Sequence, residues 1–292
     1  MILTFGNEIV KIVLFKAEGV VAMTKFPRTM VENISLPRML IGTNWVLGWS
    51  HTSASANTMI KRSYASREAV CALVEAYLQY DIDAMMAPFG DPTLMDGIHM
   101  AEDHTGKKVI LIDTPQLNMD DTTEGRREAE ARIAASEKMG CSLLLIHQVS
   151  GEKLMNRLTR TFDRLPDYTD MIRQHGLIPG LGAHIPDTIA FCDENEYDIQ
   201  TYIQPYNCVG FLMQQEVELV RGVIERAKKP VMSIKSMAAG RVSPYVGLTF
   251  SFSTLRPCDM VTVGAFSPDE VHEDVEIATA ALERRFPEIK GF

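Results

Sequence analysis

The chain has 292 residues, of which 46% are hydrophobic and 23% charged, and its formal net charge is −9. This length supports one large hydrophobic core, and no apolar run reaches the ~18 residues that a membrane-spanning helix needs. The acidic balance argues against nucleic acid as the main partner, because Lys and Arg dominate phosphate contacts. We therefore expect a globular protein that binds a small molecule, and neither a membrane nor nucleic acid. Its oligomeric state is left open.

The cysteines and the N-terminal segment bear on the compartment. The five cysteines are scattered and include no CxxC pair, which is typical of buried thiols in a reducing compartment and not of a disulfide frame or a zinc site. Residues 1–22 lack the basic start of a signal peptide. We expect a cytoplasmic protein. Two alternatives for residues 1–22 stay open, a hairpin that closes the bottom of the fold or an extension before a translation start at Met23.

Eight short apolar runs recur along the chain at nearly even spacing. They are MLIG (39–42), DAMMAPF (83–89), KVILID (108–113), SLLLIH (142–147), LIPGLGAH (177–184), IQTYIQP (199–205), VMSIK (231–235) and MVTVG (260–264). Strands that alternate with helical segments indicate parallel pairing through crossover helices. Eight such units predict a closed (β/α)8 TIM barrel, which we expect to form one domain over residues 1–292.

The segments between these runs carry helix signals. Residues 67–80 have apolar side chains at i, i+3 and i+4 spacing, and residues 121–140 are charged on the outer face and stop at Gly140. Residues 216–230 end in basic residues followed by proline, as the C-terminus of a helix does. The sequence SPDE at 267–270 is a capping box that begins the last helix.

Two connections are longer than the usual link between a strand and its helix. Residues 45–66 follow the first run and contain Trp45, Trp49 and His51, and residues 148–168 follow the fourth run. Long loops at this end of a barrel form part of the active-site mouth, so we expect the aromatic residues to contact substrate. The alternative is a surface excursion whose tryptophans pack on neighbouring loops.

Polar residues end three consecutive runs, at Asp113, His147 and His184. Barrel enzymes place their chemistry at the carboxyl ends of the strands, so these side chains are expected to converge. An Asp with two His residues can act as a general acid–base set or bind a divalent metal. The residues expected to complete the site are Asn44, His51 and Gln204. The structural alternative is that His147 bonds a strand end and Asp113 shapes a turn.

Four stretches in the C-terminal half resemble the aldo-keto reductase superfamily. They are LLLIHQ (143–148), GLGAHIPDTIAFCDENEYDIQTYIQPYN (180–207), KPVMSIKSMAAGR (229–241) and VTVGAFSPDEVHEDVE (261–276). The resemblance covers about residues 140–280 and is weak before them. It implies a (β/α)8 barrel, an oxidoreductase-like protein and a nicotinamide cofactor, NAD(P).

The catalytic apparatus of that family carries over at one position only. Reductases of the family use a Tyr as proton donor, a Lys and an Asp that lower its pKa, and a His that orients the carbonyl. His147 matches the His, but Met85 stands at the Asp position, Phe89 at the Tyr position and Asp113 near the Lys position. A Phe has no proton to donate, and an Asp has the wrong charge to lower the pKa of a tyrosine.

The cofactor residues are also incomplete. Those that the resemblance implies are Gly240, Arg241, Gly264, Ser267 and Tyr206. The family places the Tyr against a flat ring, and the position of His184 contacts the nicotinamide amide. Acidic Glu270 stands among the residues that are basic in many NADP-binding relatives. Lys235 is matched by a family lysine that forms no imine. A nicotinamide cofactor and a divalent metal are therefore both left open.

Three functions follow from these residues. The first is a divergent barrel enzyme that acts on a small polar carbonyl or sugar-like substrate, with His147 and Asp113 as acid and base, Trp45 and Trp49 as a stacking wall, and Arg241 holding an anionic group. The second is a metal-dependent lyase, isomerase or hydrolase that uses Asp113, His147 and His184 as ligands. The third is a non-catalytic relative that binds a nicotinamide cofactor or a protein partner.

Overall fold

The computed structural model describes residues 25–289 and the backbone of two short N-terminal strands, β1 (Leu3–Phe5) and β2 (Glu8–Val10), which pair antiparallel. A second hairpin, β3 (Arg28–Val31) and β4 (Ile34–Pro37), precedes the barrel. Its Val31 and Leu36 are fully buried among the side chains of the barrel interior. This hairpin therefore covers the N-terminal end of the barrel. The hairpin expected from the sequence falls in residues 1–22, and of these, residues 11–22 lie outside the described residues.

Eight parallel strands close into a barrel. In chain order they are β5 (Met39–Gly42), β6 (Ala84–Ala87), β7 (Ile110–Asp113), β8 (Leu143–Ile146), then, after the short hairpin β9 (Met155–Asn156) and β10 (Thr161–Phe162), β11 (Ile178–Gly182), β12 (Tyr202–Pro205), β13 (Val231–Ile234) and β14 (Met260–Val263). Each strand pairs with the next, and β14 returns to β5. The predicted (β/α)8 fold is confirmed, and every predicted run contains one strand.

Helices surround this barrel. They are α1 (Asn44–Leu47), α2 (Ala54–Ser63), α3 (Arg67–Leu78), α4 (Pro92–Thr105), α5 (Thr123–Lys138), α6 (Gln148–Gly151), α7 (Leu165–Gln174), α8 (Asp187–Glu194), α9 (Val217–Arg226), α10 (Pro244–Thr254) and α11 (Pro268–Glu283). The helix starts follow from capping: the Ser66 hydroxyl accepts the Ala69 N–H at the start of α3, and Ser267 accepts the Glu270 N–H in the predicted capping box.

The two long connections contain their own secondary structure. Residues 45–66 hold most of α1 and all of α2, which are separated by Gly48 in the left-handed conformation and by Ser53, whose hydroxyl caps α2. Residues 148–168 hold α6, a 3₁₀ turn over Glu152–Leu154 and the β9–β10 hairpin. Both connections lie after the carboxyl end of a strand, so they frame the same end of the barrel.

Helices α3 and α4 approach each other unusually closely. A Cβ atom added at Gly97 of α4 would lie 2.4 Å from Cβ of Val70 on α3. Only glycine permits this spacing, so the two helices share a tight interface. Among the helices of the described part of the chain, none is long and apolar enough to cross a bilayer.

Candidate active site

A cavity of about 760 Å³ opens at the carboxyl end of the barrel. Its volume falls within the range of small-molecule sites. The residues that line it at the ends of the strands are Gly42, Ala87, Thr114, His147, His184, Ile203, Lys235 and Gly264. All eight strands contribute to this rim, as the alternation of strands and helices predicts for a barrel.

His147 follows β8 and caps the short helix α6. Its Nδ1 accepts the Val149 N–H at 3.3 Å, and its carbonyl oxygen accepts the N–H groups of Ser150 and Gly151. Because burial lowers the pKa of His147, the ring is neutral near pH 7. With Nδ1 occupied as an acceptor, the proton of the neutral ring lies on Nε2. His147 can therefore donate a hydrogen bond into the cavity.

His184 follows β11 and is half-buried. The backbone N–H groups of His184 and Ile185 both donate to Oε1 of Glu152, at 2.7 Å and 3.2 Å, so this carboxylate fixes the turn. Burial, followed by electrostatic interaction with Lys235 and, when they are protonated, with His147 and His51, lowers the pKa of His184 to about 4. The imidazole is thus unprotonated at neutral pH and available to accept a proton.

Lys235 lies directly after β13 in the left-handed conformation, with φ of 63°. Burial lowers the pKa of its ammonium group. Within residues 25–289, no carboxylate lies at ion-pair distance from Lys235. His51 lies at the rim, where burial and then the charges of Lys235 and Arg241 lower its pKa. The site therefore gathers three imidazoles and an ammonium group, which together favour a ligand that carries or develops negative charge.

Helix α11 adds acidic residues to the cavity wall. Glu270, Glu273 and Asp274 of α11 all line it. The Glu270 carboxylate accepts the Phe266 N–H at 2.7 Å and so occupies an amide at the start of the helix. Burial, followed by the charges of Glu270 and Glu273, raises the pKa of Asp274 to about 8. The cavity is thus lined by both basic and acidic residues, and Asp274 among them keeps its proton at neutral pH.

Asp113 does not face this cavity. Its side chain is fully buried, Oδ2 accepts hydrogen bonds from Arg132 at 2.8 Å and Ser136 at 2.6 Å, and Oδ1 accepts the Phe89 N–H at 3.2 Å. Successive side chains of a strand alternate between faces, and Ile112 packs in the barrel interior, so Asp113 points to the helical layer. The predicted convergence of Asp113 with the histidines is therefore wrong.

Two further predicted residues also face away from the cavity. Gln204 is fully buried and donates from Nε2 to the Pro205 carbonyl at 3.3 Å. Its side chain points away from the barrel interior, because the neighbouring residue Ile203 packs inside and side chains alternate along a strand. Tyr206 is fully buried, donates its hydroxyl to Oγ1 of Thr254 at 3.0 Å and lines a smaller cavity of about 200 Å³. Neither side chain can contact a ligand in the larger cavity.

The remaining predicted residues divide into two groups. Those that line the cavity are Asn44, Trp45, Trp49, His51, Gly240 and Gly264. Arg241 does not, because its guanidinium carbon lies 4.1 Å from the centroid of the Phe211 ring and its Nη1 donates to the Ala238 carbonyl. The Ser267 hydroxyl caps α11. The expected anion-binding role of Arg241 therefore has no support from its position.

Sequence reasoning missed several lining residues. Thr114 and Gln116 follow β7 and face the cavity, and Asp274 lies two turns into α11. Strand alternation gives Thr114 as the inward neighbour of Asp113, so this residue could have been found from the sequence. Asp274 could not, because its position depends on how α11 packs on the barrel.

The arrangement does not provide the expected metal site. Within the described ranges, Asp113, His147 and His184 do not bring their ligand atoms within 4.8 Å of one another. A mononuclear divalent ion needs its ligand atoms that close together. The metal-dependent reaction expected from these three residues is therefore not supported.

The residues also fit a phosphorylated nicotinamide cofactor poorly. The predicted ring-stacking residue Tyr206 lies outside the cavity, and Arg241 is stacked on Phe211. At the start of α11, where a phosphate would bind amide groups, the Glu270 carboxylate accepts the Phe266 N–H. The carboxylates of Glu270 and Glu273 also line the cavity, so they would repel a 2′-phosphate.

Comparison with known proteins supports the fold. No protein-family model matches the chain, and no curated protein matches it in sequence. A protein from Pseudomonas aeruginosa provisionally assigned as an aldo-keto reductase is similar in structure, with a TM-score of 0.61, 13% identity, and coverage of 88% of this chain and 95% of that one.

Two further enzyme structures are similar over nearly their whole length. The glycerol dehydrogenase of Gluconobacter oxydans has a TM-score of 0.56 and 12% identity, and covers 94% of this chain and 99% of its own. The aldose reductase of Giardia lamblia has a TM-score of 0.53 and 11% identity, and covers 89% and 94%. The chain therefore has an aldo-keto-reductase-like barrel, which confirms the resemblance at the level of the fold.

Proposed function

We propose that this protein is an enzyme that moves a proton at the carbon next to the carbonyl group of a small polar or sugar-like substrate. The observation that carries the proposal is the group of His147, His184 and Lys235 around one cavity, with both imidazoles neutral at pH 7 and the ammonium unpaired within the described residues. Proton transfer beside a carbonyl needs a base, a donor to the oxygen and a positive charge near it.

His147 and Lys235 are suited to the carbonyl oxygen. The Nε2–H of His147 can donate a hydrogen bond to that oxygen, because Nδ1 already accepts the Val149 N–H. The ammonium group of Lys235 supplies the charge that stabilises the oxygen when it becomes an enolate. Its partial burial strengthens this attraction, since charges interact more strongly away from water.

His184 is suited to accept the proton. The C–H bond next to the carbonyl breaks, the proton goes to the imidazole of His184, and the electron pair forms the enolate double bond. A pKa of about 4 in the free protein keeps the ring unprotonated, and the negative enolate raises its proton affinity as the transfer proceeds. Return of the proton to the same carbon gives exchange. In an α-hydroxy carbonyl compound, transfer of the hydroxyl proton to the former carbonyl oxygen, followed by return of the carbon-bound proton to the former carbonyl carbon, gives isomerisation, and neither outcome needs an oxidant.

The aromatic residues favour a polyhydroxylated substrate. Trp45 packs edge-on against Phe266 with ring centroids 5.8 Å apart, and Trp49 is 44% exposed at the cavity wall. An indole ring offers a flat apolar face for the C–H groups of a sugar. Asn44 and Thr114 supply hydrogen-bonding groups around it. This combination supports a small sugar-like carbonyl compound over an apolar one.

Deuterium exchange tests the proposal whichever product the reaction forms. The protein is incubated in D2O with glycolaldehyde, dihydroxyacetone, glyceraldehyde and the simple ketoses, and deuterium incorporation beside the carbonyl is followed by NMR. We expect exchange with at least one compound, and a rate loss of about 10²–10⁴-fold in His184→Gln and His147→Gln. Lys235→Met should also lower the exchange rate, and should affect folding less than it affects that rate.

The matched control is His99→Gln, because His99 is exposed on α4, outside the cavity. The proposal is overturned if no compound exchanges faster than in buffer, or if His184→Gln exchanges as fast as His99→Gln. Titration of NADH and NADPH, followed by tryptophan fluorescence, tests the competing function. Tight binding with hydride transfer to any of these carbonyl compounds would replace proton transfer by the reductase reaction.

A further inference from the structure

A cluster of metal-ligating side chains lies on the outer helices, away from the cavity. Cys71 and Glu75 are one turn apart on α3, and His104 lies in the last turn of α4. The ligand atoms of these three residues all lie within 4.8 Å of one another. We propose that they form a zinc site that joins α3 to α4.

The fold brings these side chains together for identifiable reasons. Residues at i and i+4 of a helix lie on the same face, so Cys71 and Glu75 point in one direction. Gly97 on α4 has no side chain where it meets Val70, which lets the two helices approach closely. This approach places the imidazole of His104 beside both side chains of α3.

The distances are close to those of a zinc site. Sγ of Cys71 lies 3.4 Å from Oε1 of Glu75 and 3.8 Å from Nδ1 of His104, and Nδ1 lies 2.7 Å from Oε1. Tetrahedral ligands at normal zinc bond lengths are separated by roughly 3.3–3.6 Å. The longer two separations need little change, and the shortest opens by rotation of side chains that are 51% exposed for His104 and 33% for Glu75.

The ligand chemistry selects zinc. A thiolate, an imidazole and a carboxylate are a set that zinc binds well, whereas magnesium and calcium prefer oxygen ligands alone. Cys71 is 3% exposed, so the sulfur end is dry, and the exposed side of His104 leaves a fourth position for water. None of the three residues lines the cavity, so the ion would stabilise the helix pair and take no part in catalysis there.

The proposed zinc site differs from the expectation drawn from the cysteine pattern. A chain without a CxxC pair is expected to lack a zinc site. Here the proposed ligands come from two helices, and Cys71 and His104 are separated by 33 positions in the sequence. The visible signal in the sequence is only a Cys and a Glu at i, i+4 spacing. The third ligand is identified by the packing of α3 on α4, which the sequence does not reveal.

Cobalt binding provides a direct test. Untagged protein is dialysed against EDTA and titrated with Co²⁺, and the near-ultraviolet band of a cobalt–thiolate bond is recorded. We expect one equivalent to bind, the band to vanish in Cys71→Ser, and affinity to fall by at least about tenfold in His104→Gln and Glu75→Gln. Zinc should displace the cobalt. The control Cys208→Ser, which changes a half-buried thiol elsewhere, should keep the band.

Thermal unfolding supplies a second readout. Zinc should raise the melting temperature of the wild-type chain relative to EDTA, and His104→Gln should abolish that rise. Because His104 is half-exposed, this variant folds even if Cys71→Ser does not. The proposal is overturned if the wild-type chain shows no cobalt–thiolate band, or if His104→Gln and Glu75→Gln bind cobalt as tightly as wild type. Metal bound only by cavity imidazoles would lack the sulfur band, so this test is independent of the proposed reaction.

Discussion

Asp274 offers the sharpest test of the electrostatics at the cavity. It lies in α11 and is 3% exposed, and its carboxyl group makes no hydrogen bond within the described part of the chain. Burial raises its pKa to about 8, and the nearby carboxylates of Glu270 and Glu273 add to this effect. The folded protein therefore keeps a proton on Asp274 over a pH range in which the unfolded chain loses it.

The sign and size of the effect follow from the two pKa values. Well below pH 4 the group is protonated in both states. As the pH rises from about 4 to 8, the unfolded state releases the proton and the folded state keeps it, so the free energy of unfolding falls. Each unit of that interval costs about 1.4 kcal/mol, which sets an upper limit of about 6 kcal/mol. Access of water through the cavity reduces this, and we expect Asp274→Asn to stabilise the fold at pH 8 by about 2–3 kcal/mol.

Urea unfolding at pH 4.5, 6 and 8 measures this difference. Asp274→Asn should exceed the wild-type free energy of unfolding by no more than about 1 kcal/mol near pH 4.5, and by increasing amounts at higher pH. The control Asp269→Asn removes an exposed carboxylate from the first turn of the same helix and should show no such growth with pH. The reasoning is refuted if the advantage of Asp274→Asn is absent at pH 8 or is the same at all three pH values.

Three further predictions concern packing and protonation. Arg132→Met leaves the buried carboxylate of Asp113 without its ion pair, and should lower the free energy of urea unfolding by about 3–5 kcal/mol, with part of the loss recovered by adding Asp113→Asn. Gly97→Ala places a methyl group 2.4 Å from Cβ of Val70, and should cost about 1–3 kcal/mol in thermal unfolding; Val70→Ala should not restore this loss, because alanine keeps that Cβ atom. In an NMR titration, the imidazole signal that disappears in His184→Gln should have its midpoint near pH 4; a midpoint near the ordinary value of 6.5 would contradict the burial argument.

The sequence specifies this fold because its local signals agree with one another. The eight runs are short and apolar, as strands buried on both faces are, and the intervening segments carry helical periodicity with Ser66 and Ser267 as caps. The connection over residues 45–66 is predicted as a loop, yet it contains most of α1 and all of α2, because Gly48 and Ser53 provide a helix end and a helix start within a few residues.

The site is harder to predict, because the end of a strand does not determine the direction of a side chain. His147 and His184 face the cavity, whereas Asp113 and Gln204 are one position out of phase with the interior residues of their strands. An alternation count over each run separates these cases. It does not place Lys235, whose left-handed backbone lies beyond the regular part of β13.

Two separate features argue for proton transfer in a barrel shaped like those of the reductases. Phe89 occupies the position that the family resemblance gives to the proton-donating Tyr, and it is 3% exposed within the hydrophobic core, while its N–H bonds Asp113. At the start of α11, the carboxylate of Glu270 accepts the Phe266 N–H. Loss of the proton donor alone would leave a cofactor-binding protein, and loss of the anion site alone would leave a donor without a hydride source. Since both positions differ while the imidazole of His147 remains at the cavity, the residues that are present support chemistry that requires only protons.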